Sequence, residues 1–335
     1  MNRRIIFLTV LLAAWLASRP EASAGDNVKL AQTGMQFLSV VSDARAAAMA
    51  GAMTTVPLRS ASLFFNPACM ADMREEVDVA FSRTWWIANI QHNMVSLSFR
   101  PENGDYGVFG LSFQGVDYGD DIYGTRVDAT VPQGYVDTGT LEASGLAIGL
   151  GYAKVISEPF SVGGQVRWVR QHLGESLVPV AGGGTEMKKN QQEVFAFDFG
   201  TVFRTGLKSF AFGMSVRNFS REVTYEQESF PLPLTFTLGV SMDAMDFFSD
   251  RSQVNSILVS IDAVHNRDYY EQVFFGLDCK LLDVLSVRGG YITSSDEAGF
   301  SVGAGVSKFG AAVDYAFAPF GVFDNVHRIS VRFSM

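Results

Sequence analysis

Residues 234–242 read LTFTLGVSM, and every second side chain in this stretch is large and apolar. Successive side chains of a β-strand point to opposite faces of the sheet, so the two kinds of residue separate onto two faces. One face carries Leu234, Phe236, Leu238, Val240 and Met242. The other carries Thr235, Thr237, Gly239 and Ser241. The stretch therefore predicts a strand that lies between an apolar environment and a polar one.

The same alternation recurs along the chain, at residues 146–153, 195–204, 210–217 and 328–333. In each segment the apolar face is almost free of charge, while the opposite face is small or carries charges of both signs. In hydrocarbon every backbone polar group must be satisfied internally, so strands cross a membrane only as a closed sheet. A charge costs roughly 2–4 kcal/mol on the lipid side near the midplane but is tolerated in the lumen. The pattern favours an all-β transmembrane antiparallel barrel; a soluble β-sandwich is the alternative.

The strand segments number about fourteen, an even count that is typical of single-chain bacterial barrels. They lie near residues 76–84, 90–100, 104–116, 141–156, 160–173, 192–204, 209–219, 233–242, 255–265, 271–281, 284–293, 298–307, 310–318 and 325–334. Short turns alternate with longer polar loops at 117–140, 174–191, 220–232, 266–270 and 294–297. Short periplasmic turns and long outer loops are the outer-membrane arrangement. The link at 243–253 is the exception, and a helical turn is expected there.

The first 24 residues have the features of a secretory signal peptide. Arg3 and Arg4 precede an apolar run at residues 5–17, and Ala22-Ser23-Ala24 supplies a small-residue cleavage pattern. The apolar run is shorter than the roughly 20 residues that a membrane-spanning helix needs. We therefore predict an exported protein of the bacterial outer membrane; an uncleaved N-terminal anchor is the alternative.

Residues 25–75 do not alternate, and they separate the predicted signal peptide from the predicted barrel at 76–335. Residues 43–50 favour a helix that Gly51 ends, and Asn66-Pro67 predicts a turn before a second short helix at 68–74. The segment is too short for a sizeable domain and too apolar for a tail. We predict a partly helical plug in which Arg45 meets an inward-facing aspartate of the wall.

Composition excludes several classes of function. The formal net charge is −9, which argues against nucleic acid as a partner because phosphates demand a basic surface. The two cysteines, Cys69 and Cys279, are expected to be unpaired. The four histidines show no metal-ligand spacing, and the glycine run at 182–184 lacks the Lys-Ser/Thr of a phosphate-binding loop. We predict no enzymatic activity and no cofactor.

Two further sets of side chains allow a structural and a functional interpretation. The inward charges form either a selectivity path or, more in keeping with the cost of unpaired buried charge, ion pairs with each other and with the plug. They are Arg167, Asp198, Arg217, Asp262, Asp278, Arg288, Asp314 and Arg332. The aromatic residues Trp85, Trp86, Trp168 and Tyr152 lie near strand ends, which favours anchoring in the membrane interface over ligand contact.

An ordered set of short strings resembles the PorV/PorQ family, which is related to the FadL-type transporters. The strings are FLSVVSDARAAAMAGAMTTV (37–56), SASLFFNPACMA (60–71), TWWIANIQHN (84–93), PFSVGGQVRWVRQ (159–171), FPLPLTFTLGVS (230–241), SIDAVH (260–265), VRGGY (287–291) and NVHRISV (325–331). The resemblance covers the mature chain, and its plug signature includes Arg45, Gly51, Asn66 and Pro67. Cys69-Met70 departs from it, since the family more often has Gly or Ala and then Leu there.

This resemblance implies two possible functions. PorV-like members are associated with type IX secretion, so one expectation is a shuttle or scaffold for exported proteins, with secreted cargo and secretion components as partners. FadL-like relatives pass hydrophobic small molecules through a plugged barrel, and that is the alternative expectation. Outer-membrane lipid is a partner in both cases.

Overall fold

A computed structural model describes residues 33–119, 122–179, 184–225, 227–248, 254–268, 270–293, 299–321, 323 and 325–335. The predicted signal peptide, the first residues of the predicted plug (25–32) and Gly182 and Gly183 of the glycine run lie outside the described residues. The signal peptide and the boundary at residue 25 therefore stay predictions.

Fourteen strands close into one antiparallel barrel, which confirms the predicted fold class and strand number. The described part of the chain has eighteen strands in all: β1 (Val77–Trp85), β2 (Gln91–Phe99), β3 (Val108–Asp117), β4 (Tyr123–Val127), β5 (Tyr135–Thr140), β6 (Ala143–Ser157), β7 (Phe160–Pro179), β8 (Thr185–Arg204), β9 (Ala211–Ser220), β10 (Val223–Tyr225), β11 (Glu228–Phe230), β12 (Thr235–Asp243), β13 (Val254–Asn266), β14 (Gln272–Leu281), β15 (Leu285–Ile292), β16 (Phe300–Lys308), β17 (Ala311–Ala318) and β18 (Val326–Ser334). The β4–β5 and β10–β11 hairpins stand outside the barrel sheet. The first and last strands close the barrel, with Phe81 opposite Val331.

The two faces of the wall differ as the alternation predicts. On β8, Phe195 and Phe199 are 59% and 52% exposed, whereas Asp198 between them is 1% exposed. On β12, Leu238 is exposed and its neighbour Thr237 is buried. The apolar residues therefore cover the outside of the barrel, and the small and charged residues face the lumen. Among the described residues, no helix is long and apolar enough to cross a membrane.

Three predicted loops contain regular structure, which corrects the sequence-based boundaries. Most of the predicted loop at 174–191 is strand, because β7 continues to Pro179 and β8 begins at Thr185. Its register shifts near Gly174, which has a φ of +84°. The predicted loops at 117–140 and 220–232 contain the β4–β5 and β10–β11 hairpins. The predicted helical turn after β12 is confirmed as a 3₁₀ helix at Ala244–Phe247.

The N-terminal segment lies inside the barrel as a chain of short helices. It contains 3₁₀ helices at Gln36–Ser39, Arg59–Phe64 and Pro67–Asp72 and the α-helix α1 at Ala44–Ala48. The predicted helix at 68–74 is thus 3₁₀ in form, begins one residue earlier and ends two residues earlier. Two more 3₁₀ helices, Ile87–Asn89 and Pro101–Gly104, belong to strand connections.

The segment from residue 33 to residue 76, called the plug below, touches the wall on several sides. Helix α1 packs against β15–β18, the helix at 59–64 against β1–β3, and the helix at 67–72 against β6–β8. Buried methionines and phenylalanines of the plug, among them Met49, Met53 and Phe64, form one apolar cluster with Met94 of β2. The plug therefore contacts wall strands on opposite sides of the barrel.

Candidate functional site

The Asn66 side chain joins the Asn66-Pro67 turn to the wall through a hydrogen bond to a main-chain carbonyl of β8. The side-chain nitrogen of Asn66, Nδ2, donates to the carbonyl oxygens of Thr54 in the plug, at 2.6 Å, and of Thr201 on β8, at 3.1 Å. Its amide oxygen accepts from the Ala68 nitrogen at 3.0 Å and so caps the helix that begins at Pro67. The structure thus places both residues at a contact between the plug and β8.

Helix α1 is capped at one end and followed by a sharp reversal at the other. The Asp43 carboxylate accepts from the Ala46 nitrogen at 2.9 Å. After the helix the backbone enters the left-handed region at Ala50 (φ +55°) and Gly51 (φ +82°), and the Gly51 nitrogen donates to the Ala46 carbonyl at 2.8 Å. A left-handed residue at this place is the usual helix stop, and glycine adopts it without steric cost.

Arg45 takes part in a chain of four alternating charges. Its Nε lies 3.0 Å from Asp278 Oδ2 on β14. The same carboxylate oxygen lies 3.0 Å from Arg288 Nε on β15, and Arg288 Nη1 lies 2.6 Å from Asp314 Oδ1 on β17. The three wall residues are buried and Arg45 is only partly exposed. The plug is therefore held to this side of the barrel by charge as well as by packing.

The other predicted inward charges also have partners. Arg167 and Asp198 form a buried ion pair with a 2.8 Å contact. Asp262 accepts from the nitrogen and the hydroxyl of Thr54 in the plug, at 2.9 and 2.7 Å. The remaining contacts are Arg217 to the Phe64 carbonyl at 2.7 Å, and Arg332 to Asp43 at 3.7 Å and to Asp78 at 3.9 Å. Most of these contacts bind the wall to the plug, as the structural interpretation expects.

An apolar cavity of about 510 Å³ lies above the plug, at the end of the barrel with the long connections. Phe37 and Val41 of the plug form its floor. Residues where strands meet the long connections form its sides, including Trp86, Phe274 and Phe320. We call this cavity the vestibule. Its size is that of a small-molecule site, and its lining is mainly apolar with a few polar groups.

Trp86 corrects the prediction of an interfacial anchor. Its ring lines the vestibule and meets His92 and Phe320 edge to face, with centroid distances of 6.0 and 5.0 Å. Trp85, the preceding residue, is 40% exposed on the outside. Neighbouring residues at the end of a strand point to opposite faces, so the two tryptophans separate. Tyr152 is exposed on the outer surface, where its hydroxyl donates to the Tyr106 carbonyl at 2.9 Å.

Two further kinds of side chain bear on the chemistry of the described residues, namely the cysteines and the possible metal ligands. Cys69 and Cys279 are both free, as predicted, and Cys69 is buried against the Thr54 carbonyl. Among the described residues, no group of three or more His, Cys, Asp or Glu side chains is placed to hold a metal ion. The charged side chains of the lumen described above mainly form ion pairs and hydrogen bonds with each other and with the plug.

An ion pair at the base of the plug gives a pH-dependent contribution to stability. Arg59 Nη2 lies 2.7 Å from Glu75 Oε1, and this hydrogen bond lowers the pKa of Glu75 to about 2. A carboxyl whose pKa falls on folding stabilises the folded state above its usual pKa, and loses this effect as the pH falls through its folded value.

We therefore expect the difference in thermal stability between the wild type and Glu75→Gln to be greatest near neutral pH. It should shrink as the pH falls from about 4.5 towards 2. Melting temperatures of both proteins at pH 7, 4.5 and 2.5 measure this, with Glu102→Gln in an exposed turn as control. A difference that grows in acid would contradict the assignment.

Comparison with solved structures relates this architecture to known barrels. The toluene transporter TbuX of Ralstonia pickettii matches with a TM-score of 0.56 and 13% identity, over 87% of this chain and 98% of TbuX. The CymD monoaromatic hydrocarbon channel matches with a TM-score of 0.56 and 14% identity, over 88% of this chain and 98% of CymD. The barrel resembles FadL-type outer-membrane barrels. A Pseudomonas aeruginosa FadL homologue matches with a TM-score of 0.50 and 11% identity, over 88% and 98% of the two chains.

At these identities the likeness shows the fold and not the substrate. No family model and no curated protein sequence matches this chain. TbuX is described as a toluene transporter and CymD as a monoaromatic hydrocarbon channel. The PorV/PorQ resemblance and the secretion role that it implied receive no support from them.

Proposed function

We propose that this protein is an outer-membrane conduit for small hydrophobic molecules. The observation that carries the proposal is the vestibule, an apolar cavity of about 510 Å³ that opens at the long-connection end of a plugged barrel. In outer-membrane barrels the long loops face the outside. A molecule that arrives from the medium therefore meets the vestibule before it meets the plug.

The physical basis is transfer of apolar surface out of water. Burial of apolar surface is favourable by roughly 25 cal/mol per Å², so a small hydrocarbon gains free energy when it enters the vestibule. Phe37 and Val41 form the floor, so passage from the vestibule into the lumen requires movement of the first part of the plug. TbuX and CymD, described as a toluene transporter and a monoaromatic hydrocarbon channel, have a similar fold, which supports a conduit for small molecules as the type of function.

A role in protein secretion rests on the sequence resemblance alone. The described part of the lumen is filled by the plug, and the plug is tied to the wall by ion pairs and hydrogen bonds. No feature of the vestibule favours a protein segment over a small molecule. We therefore favour a conduit for hydrophobic molecules over a role in protein secretion.

Uptake by whole cells tests the proposal, because small aromatic hydrocarbons cross a plain phospholipid bilayer unaided. The gene is expressed in a Gram-negative host whose own hydrocarbon channel has been deleted, and entry of radiolabelled toluene is followed. We expect a several-fold higher initial rate than with an empty vector.

The variant Phe274→Lys should abolish most of this gain, because it places a charge in the apolar cavity. The matched control is Phe309→Lys, in an exposed turn at the opposite end of the barrel. Equal uptake with and without the gene would refute the conduit. Equal uptake by both variants would remove the vestibule from the route.

A further inference from the structure

One arginine of the vestibule differs from the paired arginines of the lumen. Arg328 on β18 is 6% exposed, and its Nε donates to the Val41 carbonyl of the plug at 2.8 Å. Among the described residues, its Nη1 has no hydrogen-bond partner. Within the described part of the chain, no carboxylate oxygen lies within 4.0 Å of this guanidinium, whereas Arg167 forms an ion pair with one aspartate and Arg288 with two. A buried cation without a counter-charge is costly, so the site calls for a ligand that supplies one.

The surroundings of Arg328 are aromatic. Its Cζ lies 5.4 Å from the centre of the Trp86 ring, in the range of a cation–π contact. His92 stands against the same tryptophan ring and is 2% exposed, and its Nδ1 also lacks a hydrogen-bond partner in the part of the chain that the structure describes. Arg328, Trp86 and His92 all line the vestibule. The unpartnered polar atoms are thus at the cavity wall and not in the packed interior.

The charge balance of the vestibule is positive although the protein as a whole is acidic. Arg217, Arg267 and Arg328 line it. Asp268 is its one acidic lining residue within the described part of the chain, and this carboxylate accepts hydrogen bonds from Gln36, at 2.7 Å, and from Thr33 of the plug. The formal charge of the whole chain is −9. A cavity with low-dielectric walls and an excess of one sign raises the local concentration of the opposite sign.

We propose that Arg328 is the recognition point for the carboxylate of a small aromatic acid, with its ring against the aromatic side chains of the vestibule. This inference rests on the proposed function and names the substrate class of the same cavity. A guanidinium presents a planar fork that matches a carboxylate. Phe37, Trp86, Phe274 and Phe320 offer ring faces and edges for the body of such a molecule.

A neutral hydrocarbon fits this cavity less well than its carboxylate counterpart. It fills the same apolar space but leaves the Arg328 guanidinium unpaired and removes the water that would otherwise solvate it. Hydrogen bonds to charged groups contribute about 1.5–3 kcal/mol, which corresponds to roughly a tenfold to hundredfold change in affinity. The substrate class inferred here therefore differs from the toluene and monoaromatic hydrocarbons named for TbuX and CymD.

Calorimetric titration of the purified protein in lipid nanodiscs tests this inference, with empty nanodiscs as the blank. The ligands are p-toluate and p-xylene, which share a ring and a methyl group and differ in charge. We expect p-toluate to bind at least about tenfold more tightly. In Arg328→Gln this ratio should fall to near one, and in Arg328→Lys it should fall several-fold because lysine lacks the planar fork. Arg126→Gln, outside the vestibule in β4, should keep the wild-type ratio.

Several results would overturn the inference. Equal binding of p-toluate and p-xylene to the wild type would do so, as would an unchanged affinity ratio in Arg328→Gln. Tighter binding of dodecanoate than of p-toluate would also overturn it, because the preferred substrate would then be a fatty acid and not an aromatic acid. If Arg328→Gln does not fold, the ratio of the p-toluate and p-xylene affinities of the wild type still tests the inference. Failure of the conduit itself is distinguishable, because then the gene raises the uptake of neither toluene nor p-toluate.

Discussion

Replacement of Gly163 by valine is expected to unseat the plug and to make the barrel leak small polar solutes. Gly163 lies on β7 and faces the lumen, where the plug backbone passes directly over it. A Cβ at this position would lie 2.5 Å from the Ala68 nitrogen and from the Pro67 carbonyl carbon. Real Cβ atoms do not approach backbone this closely, and the plug backbone at this point cannot rotate away like a flexible side chain. The added methyl groups must therefore push the plug off β7.

The next residue supplies a matched control on the same strand. Gly164 faces outward, and a Cβ there would meet the Asp198 carbonyl at 3.4 Å and the Phe199 ring at 3.7 Å, which are ordinary contact distances. Gly163→Val and Gly164→Val thus add the same atoms to opposite faces of the wall. We expect Gly163→Val to be destabilised by about 1–3 kcal/mol through overpacking. We expect Gly164→Val to stay near the wild type.

Liposome swelling with a small sugar measures the leak, and urea unfolding in detergent measures the stability. The flux through Gly163→Val should exceed that of the wild type by about tenfold or more, since displacement of the plug opens a polar lumen. Heat-modifiable mobility in gel electrophoresis, in which boiled and unboiled samples are compared, checks that each variant has formed its barrel. A tight barrel in Gly163→Val, or an equal leak in both variants, would show that the Pro67–Ala68 contact does not seal the lumen.

The barrel is predictable from sequence because lipid selects one kind of residue at every second position. Residues such as Phe195, Phe197 and Phe199 face hydrocarbon, and their spacing is visible without any structure. That selection ends where the strands leave the membrane. The upper parts of β7 and β8 carry polar residues such as Glu175 and Lys189 on strands that pair well beyond the predicted ends. A strand with water on both faces has no compositional reason to alternate, so its sequence predicts a loop.

The candidate site is only partly predictable, and the reason is geometric. An arginine in the plug and an aspartate on an inward face must meet if neither is to be buried alone, and Arg45 does lie against Asp278. Which aspartate Arg45 meets depends on the orientation of the plug inside the barrel, and the sequence pattern does not predict that orientation. Arg328 shares an inward face with Arg332, but only the structure shows that Arg332 has two acidic neighbours and that Arg328 has no ion-pair partner among the described residues.

The second large effect is expected at Asp278, the residue on which two arginines converge. Asp278→Asn keeps the shape of the side chain but removes the charge that faces both Arg45 and Arg288. Breaking a buried ion pair on one side costs about 3–5 kcal/mol, because the remaining charge is left without compensation. Arg288 keeps Asp314 as a second partner, so the expected loss lies at the lower end, about 3 kcal/mol.

A double-mutant cycle separates the part of this energy that holds the plug. Arg45→Met removes the one charge of this network that the plug supplies. It should lower the free energy of unfolding by about 1 kcal/mol, since Asp278 still has Arg288 as a partner. If Arg45 and Asp278 interact directly, the double variant should be more stable than the sum of the single losses predicts, by about 1–3 kcal/mol. Urea unfolding of the four proteins gives this coupling, with Asp283→Asn at an exposed turn as control. Additive losses would mean that the Arg45–Asp278 contact contributes nothing to the attachment of the plug, which is then held by its packing and its other polar contacts.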